Sequence, residues 1–374
     1  MKKTKFMSLL IAIALVVAML AGCSGGNGGD VVDEPAPAPE PAASEPADEP
    51  ATDDGTVYKF NVSFAAPEFS CEGITETLDR IQENSNGRIE FTYYYSWSLT
   101  SVPTCVDDIN AGVVDICAVP VNEHLNLFPY SNLVTYTPFI GLPDQLSAGR
   151  IYDELYLEHD VFAQEYAKNG LVYWANYPCP GYNIFTNKDF AIRTPGDLNG
   201  KKIITSSRMM QEFISANGGA PVGAPVTEYA TSLNTGAVDG VVNHINVLRA
   251  FGALDFIEAA TIFGEEGTAV SLLMMCFSEQ AWNSLPADLQ QLFKDEAAAL
   301  REAQGGWDFG AAQGNLGAIK GEGAAVIELT NDEIQVWKDA FAEQLDGYID
   351  ELAGSGAPDA RAIYDAVQAK IAQY

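Results

Sequence analysis

Positive charge is scarce in this chain. Its 374 residues carry 20 Lys and Arg against 51 Asp and Glu, a net charge of −31 at pH 7. So acidic a surface repels phosphate, which excludes nucleic acid as a partner. It also disfavours direct adsorption to anionic lipid. Histidine is nearly absent, with only His124, His159 and His244, and none of the six cysteines forms a C-x-x-C pair. A zinc site is therefore not expected. No phosphate-binding Gly loop, nucleophile elbow or metal-ligand cluster is present, so neither cofactor nor metal is predicted. The one arrangement with catalytic chemistry is Cys179 in Tyr177-Pro178-Cys179-Pro180-Gly181, with His244 as a base that would activate the thiol. That thiol-enzyme reading is the minor alternative; the chain reads as a non-enzyme.

Long hydrophobic runs are also missing, save one. Phe6 to Ala21 is almost unbroken and follows Lys2, Lys3 and Lys5. It is too short and too early for an ordinary membrane span and reads as a targeting segment over 1–22. It ends Leu20-Ala21-Gly22-Cys23, which resembles a bacterial lipoprotein lipobox. The resemblance implies cleavage before Cys23 and lipidation of that residue; the alternative is a plain secretory signal with a chance cysteine. The chain is then extracytoplasmic and anchored by lipid to the outer face of the cell membrane. Residues 23–55 hold nine acids and no Lys or Arg among Pro, Ala and Gly. Such a segment buries too little surface to offset its ordering entropy and is expected to act as a disordered tether.

From Thr56 to Tyr374 there remain 42 acids and 17 Lys and Arg, in a length that suits two domains. Tyr58 to Phe64 alternates like a strand, and Ile74, Leu78 and Ile81 recur at helical spacing before Asn86-Gly87. Strand Arg88 to Tyr95, helix Val102 to Asn110 and strand Val113 to Val119 follow. This βαβαβ order predicts a parallel sheet covered by helices. The unit Ile109-Asn110-Ala111-Gly112-Val113-Val114-Asp115 returns as Leu233-Asn234-Thr235-Gly236-Ala237-Val238-Asp239. In the second copy, Thr227 to Thr235 reads as helix, Gly236 as its left-handed stop and Val238 to Val242 as a strand. Two such units predict two similar α/β lobes with a binding cleft between them. The five cysteines past Cys23 are expected mainly as buried thiols, with one disulfide possible.

Further landmarks are Glu83 to Ile89, Thr137-Pro138-Phe139, Asn187, Thr194-Pro195-Gly196-Asp197-Leu198-Asn199-Gly200-Lys201-Lys202-Ile203, Glu228 and Leu285 to Gln290. In this order, with both copies of the repeat, the chain resembles a DctP-family solute-binding protein. Members of that family are the extracytoplasmic receptors of tripartite ATP-independent periplasmic (TRAP) transporters. The resemblance implies a two-lobed, periplasmic-binding-protein-like α/β fold, each lobe a mainly parallel sheet flanked by helices. It places lobe I at 56–180 plus about 268–308 and lobe II at 181–267 plus about 309–374. Leu171 to Ala175 and Thr268 to Phe277 would be crossing strands, and Glu279 to about Asn315 one long helix spanning both lobes. Asn331 reads as the cap of the helix after strand Val326 to Leu329, and Arg361 to Ala372 as a closing helix. The implied partners are a small-molecule solute and the small and large membrane permease subunits, with the receptor itself a monomer. An orphan ligand-sensing receptor is the alternative.

The family's ligand-clamping arginine is expected just after Ile203, where this chain has Ile204. A second is expected within Gly181-Tyr182-Asn183-Ile184-Phe185, again without arginine. The bidentate guanidinium–carboxylate pair is thus missing. Arg208 could replace it, or Ser206, Ser207, Tyr182, Asn183 and backbone N–H groups could hold a carboxylate. The third option is a neutral, zwitterionic or aromatic ligand against Trp97, Asn122, Trp174 and Tyr182. Asn243 is the leading contact, at a strand's carboxyl end where α/β sheets place ligands. Glu228 is a further candidate.

Overall fold

The computed structural model describes residues 55–374 apart from Asp189; the targeting segment, Cys23 and the tether lie outside the described residues. The chain begins β1 (Tyr58–Ser63), α1 (Glu72–Asn84), β2 (Ile89–Tyr94), α2 (Cys105–Asn110) and β3 (Ile116–Val119). α1 forms as its periodicity predicts: Ile74, Leu78 and Ile81 are fully buried, and Asn86 and Gly87 end the turn with φ of 56° and 81°. Three helices follow, α3 (Pro129–Thr135), α4 (Gln145–Glu158) and α5 (Asp160–Lys168), and then β4 (Leu171–Pro178). A second run supplies β5 (Asn183–Thr186), β6 (Lys202–Ile204), α6 (Arg208–Ala216), β7 (Ala220–Val222), α7 (Tyr229–Asn234), β8 (Gly240–Asn243), α8 (Ile245–Ala250) and β9 (Ala259–Ile262). The chain closes with β10 (Leu272–Ser278), α9 (Glu279–Ser284), α10 (Ala287–Gly321), β11 (Ala325–Glu328), α11 (Asn331–Gly354) and α12 (Ala360–Ile371).

Two sheets result, ordered β2-β1-β3-β10-β4 and β11-β9-β5-β8-β6-β7. Each contains one strand antiparallel to both neighbours, β10 in the first and β5 in the second. These are the strands that enter their sheet from the other lobe. β4 ends at the cleft, so the chain crosses there and β5 starts at the cleft edge of the second sheet, running away from it. β9 ends at the cleft and β10 starts there in the same way. The carboxyl ends of β3, β4, β8 and β9 and the amino ends of β5 and β10 therefore all face the gap between lobes. The crossing itself falls at 179–182, later than the Leu171 to Ala175 expected from sequence; that stretch is interior to β4.

The two crossing segments are bonded to each other. The Cys179 N–H donates to Ser271 O at 2.8 Å, Tyr182 N–H to Ala269 O at 2.9 Å, and Thr268 N–H to Tyr182 O at 2.7 Å. This close approach needs glycine. A Cβ at Gly181 would lie 2.6 Å from the Glu266 carbonyl carbon, and one at Gly267, where φ is +63°, 2.3 Å from Tyr182 O.

The repeated unit is an architectural clamp. Gly112 and Gly236 take φ of 72° and 68°, and the aspartate three residues on accepts a neighbouring strand's N–H. Asp115 takes Asn61 N–H at 2.8 Å and Asp239 takes Lys202 N–H at 2.9 Å. The strands accordingly start at Ile116 and Gly240, after each clamp, rather than at Val113 and Val238.

The helix expected from Glu279 to Asn315 is broken. Pro286 has no N–H and pushes Leu285 into an extended conformation (φ −76°, ψ 135°), so α9 stops and α10 starts afresh. α10 has 35 residues, about 50 Å at 1.5 Å per residue. It packs on α1 and β4 of the first lobe and on α8 and β11 of the second. Thr330, not Asn331, caps α11, in a reciprocal capping box with Glu333. α11 touches α6, whereas α12 lies on α3 and α4. All five described cysteines are buried free thiols.

Gly267→Ala should lower the urea midpoint by about 1–3 kcal/mol of stability, because it combines a positive φ with a backbone clash. Gly306→Ala, inside α10 with nothing within 4 Å of its Cβ position, should be neutral or raise stability by up to about 1 kcal/mol. Equal effects of the two would contradict the hinge geometry.

Candidate functional site

The facing strand ends enclose a cleft of about 130 Å³, lined from both lobes and from α10. The first lobe contributes Trp97, Asn122 after β3, and Tyr177 on β4. Cys179 and Tyr182 come from the crossing, Asn243 and His244 from the end of β8, and Gln304 and Asp308 from α10. No Lys or Arg is among the described residues that line it; its ionisable acids are Asp308 and Glu123.

Asn243, the last residue of β8, is 4% exposed. Its Nδ2 donates to the Tyr229 hydroxyl at 3.1 Å and its Oδ1 accepts His244 N–H at 2.8 Å, which leaves one donor and one acceptor site for a ligand. Tyr182 stands edge-on to Tyr136 at 5.3 Å and 5.5 Å from the His244 ring. Asn122 accepts from the Ser271 hydroxyl and donates to Glu123, both at 3.2 Å. Trp97 follows Ser96, and the two have φ of 55° and 54°. Two consecutive left-handed non-glycine residues store strain, as ligand-facing turns often do.

The remaining sequence candidates lie elsewhere. Trp174 is buried beneath α10, its indole N–H donating to Phe293 O and its ring edge-on to Phe293 at 5.1 Å. Asn183 opens β5 opposite Asn243. Its amide is taken up by Gly181 O and Phe263 N–H, and it borders a separate cavity of about 450 Å³ against the second half of α10. Arg208 is half exposed at the start of α6, paired with Glu212 and Glu351. With Ser206 it lines a neighbouring groove of about 490 Å³. That groove shares Asn122 and Glu123 with the cleft, and within it Tyr136 Oη meets Ser206 Oγ at 3.0 Å. Glu228 is exposed at the end of a 3-10 turn. Ile204, fully buried, packs with Phe185, Tyr229 and Val241 in the second lobe's core.

The groups that sequence reasoning missed come from α10. Asp308, 7% exposed, accepts from Gln304 Nε2 and from Asn246 Nδ2, each at 3.0 Å. Burial pushes its carboxyl up to about 7, against the two amide donors that pull the other way. Gln304 is itself held by Ile74 N–H and Ser70 O. The available signal was Gly305-Gly306 in mid-helix, which marks a close approach: a Cβ at Gly305 would meet Leu146 and Pro178. Burial also lowers His244 to about 3, so its ring is neutral, and its Nδ1 has no partner. Crowding around the Glu123 carboxyl raises it, opposed by the Ser206 hydroxyl. The Cys179 thiol is pushed well up by burial and by Asp308, which disfavours the thiolate a nucleophile needs.

Two α/β lobes, joined by paired crossings and enclosing a small lined cleft, are the architecture of a ligand-trapping binding protein. The chain belongs to the bacterial extracellular solute-binding protein family 7 (DctP), whose model matches residues 63–351. It is 25% identical over 222 residues to the 2,3-diketo-L-gulonate-binding periplasmic protein YiaO of Escherichia coli K12, covering 59% of this chain and 65% of that one. It is 26% identical over 224 residues to the ectoine-binding periplasmic protein TeaA of Halomonas elongata, covering 59% and 64%. The chain thus spans somewhat under two thirds of these relatives' own lengths. Among solved structures, a TRAP periplasmic solute binding protein from Desulfovibrio salexigens with bound orotic acid has a TM-score of 0.74 at 16% identity, covering 84% of this chain and 99% of that one. One from Rhodoferax ferrireducens with copurified benzoate has 0.74 at 21%, covering 85% and 98%. At these identities the structural likeness concerns the fold alone.

The raised Asp308 carboxyl sets a stability test. Its folded-state value of about 7 exceeds the usual 3.8, so folding favours the protonated form. That contribution is full below about pH 4 and is lost as pH rises through 7. Asp308→Asn should therefore gain melting temperature relative to the parent between pH 5 and pH 8, equivalent to on the order of 1–4 kcal/mol. A pH-independent difference between the two would show that Asp308 is not a buried, unpaired carboxyl.

Proposed function

We propose that this protein is the extracytoplasmic receptor of a TRAP-type secondary transporter. It captures a small organic solute in the interlobe cleft and delivers it to small and large membrane permease subunits. The single observation that carries this reading is the cleft itself: strand ends from both lobes converge on one cavity lined by aromatic and amide side chains. The ligand names of the family relatives, 2,3-diketo-L-gulonate and ectoine, support a small polar solute. The absence of Lys and Arg from the described lining and the burial of Ile204 in the core favour a ligand not held by a guanidinium clamp. A non-standard organic acid, a zwitterion, or a neutral or aromatic compound fits that requirement. Asn243, Tyr182, Asn122 and Trp97 are its proposed contacts.

Ligand binding would close the lobes about the paired crossings and shift the population toward the closed form, through contacts made only there. The closed form would dock on the permease. Lipidation at Cys23 would keep the receptor at the outer face of the membrane, with the acidic tether as spacer.

Calorimetric titration against small organic acids, amino-acid derivatives and neutral aromatics tests the receptor reading. For whichever solute binds, Asn243→Ala should weaken affinity by about 1–3 kcal/mol, as for loss of a buried hydrogen-bond partner; unchanged affinity removes Asn243 from the contacts. Cys23→Ala should move the expressed protein from the detergent phase to the aqueous phase on phase partition. Retention in the detergent phase would rule out lipidation at that residue. Co-purification of ligand-loaded receptor with the two membrane subunits separates transport from sensing.

A further inference from the structure

The carboxyl groups of the cleft face no Lys or Arg among the described residues that line it. Asp308 is buried in it with two amide donors and no cation. Its Oδ1 is met by Asn246 on α8 and its Oδ2 by Gln304 on α10, at 3.0 Å each. Those two bonds leave lone pairs on both oxygens unused. Both amides are fixed by other bonds: Gln304 by Ile74 N–H at 3.2 Å and Ser70 O at 2.8 Å, and Asn246 by Asn315 Nδ2 at 3.0 Å. The carboxyl is thus built into position rather than left over. A buried carboxylate with hydrogen bonds but no counter-charge is an expensive arrangement, and an opposite charge brought in from outside relieves it. A second unfilled group lines the same cleft: His244, 8% exposed and neutral, presents Nδ1 with no partner. Trp97 and Tyr182 supply aromatic surface, whose faces attract cations.

Resting on the receptor reading above, we propose that the solute bears a protonated amine, held by the Asp308 carboxylate, with its carbon skeleton against Trp97 and Tyr182. The His244 ring nitrogen takes a further donor of the ligand. Capture then requires an ionised Asp308, so binding and deprotonation are linked. The groups around that carboxyl do not blur the linkage. Burial raises Cys71 to about 12 and Tyr177 and Cys179 well above their usual range, while His244 lies near 3. Glu123, also raised by crowding, is the one other acid of the cleft that shifts toward neutral pH, and Glu123→Gln isolates it.

Three compounds of one skeleton test this: 2-phenylethylamine, 2-phenylethanol and phenylacetate, titrated calorimetrically into the full-length protein at pH 6 and pH 8. The proposal expects the amine to bind at least tenfold more tightly than the alcohol at pH 8. Its affinity should rise about tenfold from pH 6 to pH 8, following the ionised fraction of Asp308, in the parent and in Glu123→Gln alike. Asp308→Asn, checked for folding by its melting curve, should abolish both the amine preference and the pH dependence. Tighter binding of the alcohol or of phenylacetate would overturn the amine assignment and leave the receptor reading intact. So would an amine affinity that falls with pH, or one that survives Asp308→Asn. Binding of none of the three by folded protein would overturn the amine assignment; whether the receptor reading also falls is then decided by the wider solute panel.

Discussion

The hydrogen-bonded pairing of the two crossing segments is the constraint on which the rest of the molecule depends. Cys179 to Tyr182 and Gly267 to Ser271 run side by side and exchange three backbone hydrogen bonds of 2.7–2.9 Å. Because both crossings lie at one place, every strand that reaches it must end or begin there. That fixes which strand of each sheet is antiparallel and brings the strand ends to the gap between the lobes. The glycines at 181 and 267 are required by this approach, since a Cβ at either would collide with the opposite backbone. If the lobes close as proposed, two bonded segments would limit how: rotation about the pair would be cheap, whereas shear between them would break backbone bonds.

Much of this frame was legible in the sequence because it rests on local rules. The repeated Gly-x-Val-Asp units marked one helix stop and strand start per lobe, and the structure adds the reason for the aspartate, which clamps a neighbouring strand's N–H. The long helix was legible in composition but not in continuity, because a first-turn proline is compatible with one helix or with two. Pro286 chose two through the extended Leu285.

The site was less legible, for a directional reason. Composition shows that aromatics and amides are present near the crossings, not which way they point. Trp174 and Trp97 look alike in sequence, yet one caps its indole on Phe293 O in the core and the other sits on a strained turn at the cleft. Asn183 and Asn243 are directly paired in register, but the Asn183 amide is engaged by Gly181 O and by Phe263 N–H just after β9. Asp308 was invisible because it sits in a helix otherwise read as scaffold. Only the packing of α10 at Gly305 against Pro178 brings that face of the helix to the gap.

The acidity of the whole chain and the chemistry of the cleft are separate matters. Surface carboxylates are solvated and screened within about a Debye length, so the net charge of −31 says little about the ligand. Asp308 differs because it is nearly buried and held by two amide donors, with no cation beside it among the described residues. An isolated buried carboxyl has two resting solutions: stay protonated, or wait for a counter-charge. Its amide donors do not settle the choice, since they favour the ionised form while burial favours the neutral one, and the balance falls near neutral pH. A group poised there is sensitive to whatever enters the cleft. A cationic solute would find a ready partner and expel a proton, whereas an anionic one would bind only against the neutral acid. Under the proposed reading, that side chain would make selectivity a question of proton position, in a cleft whose described lining includes no Lys or Arg.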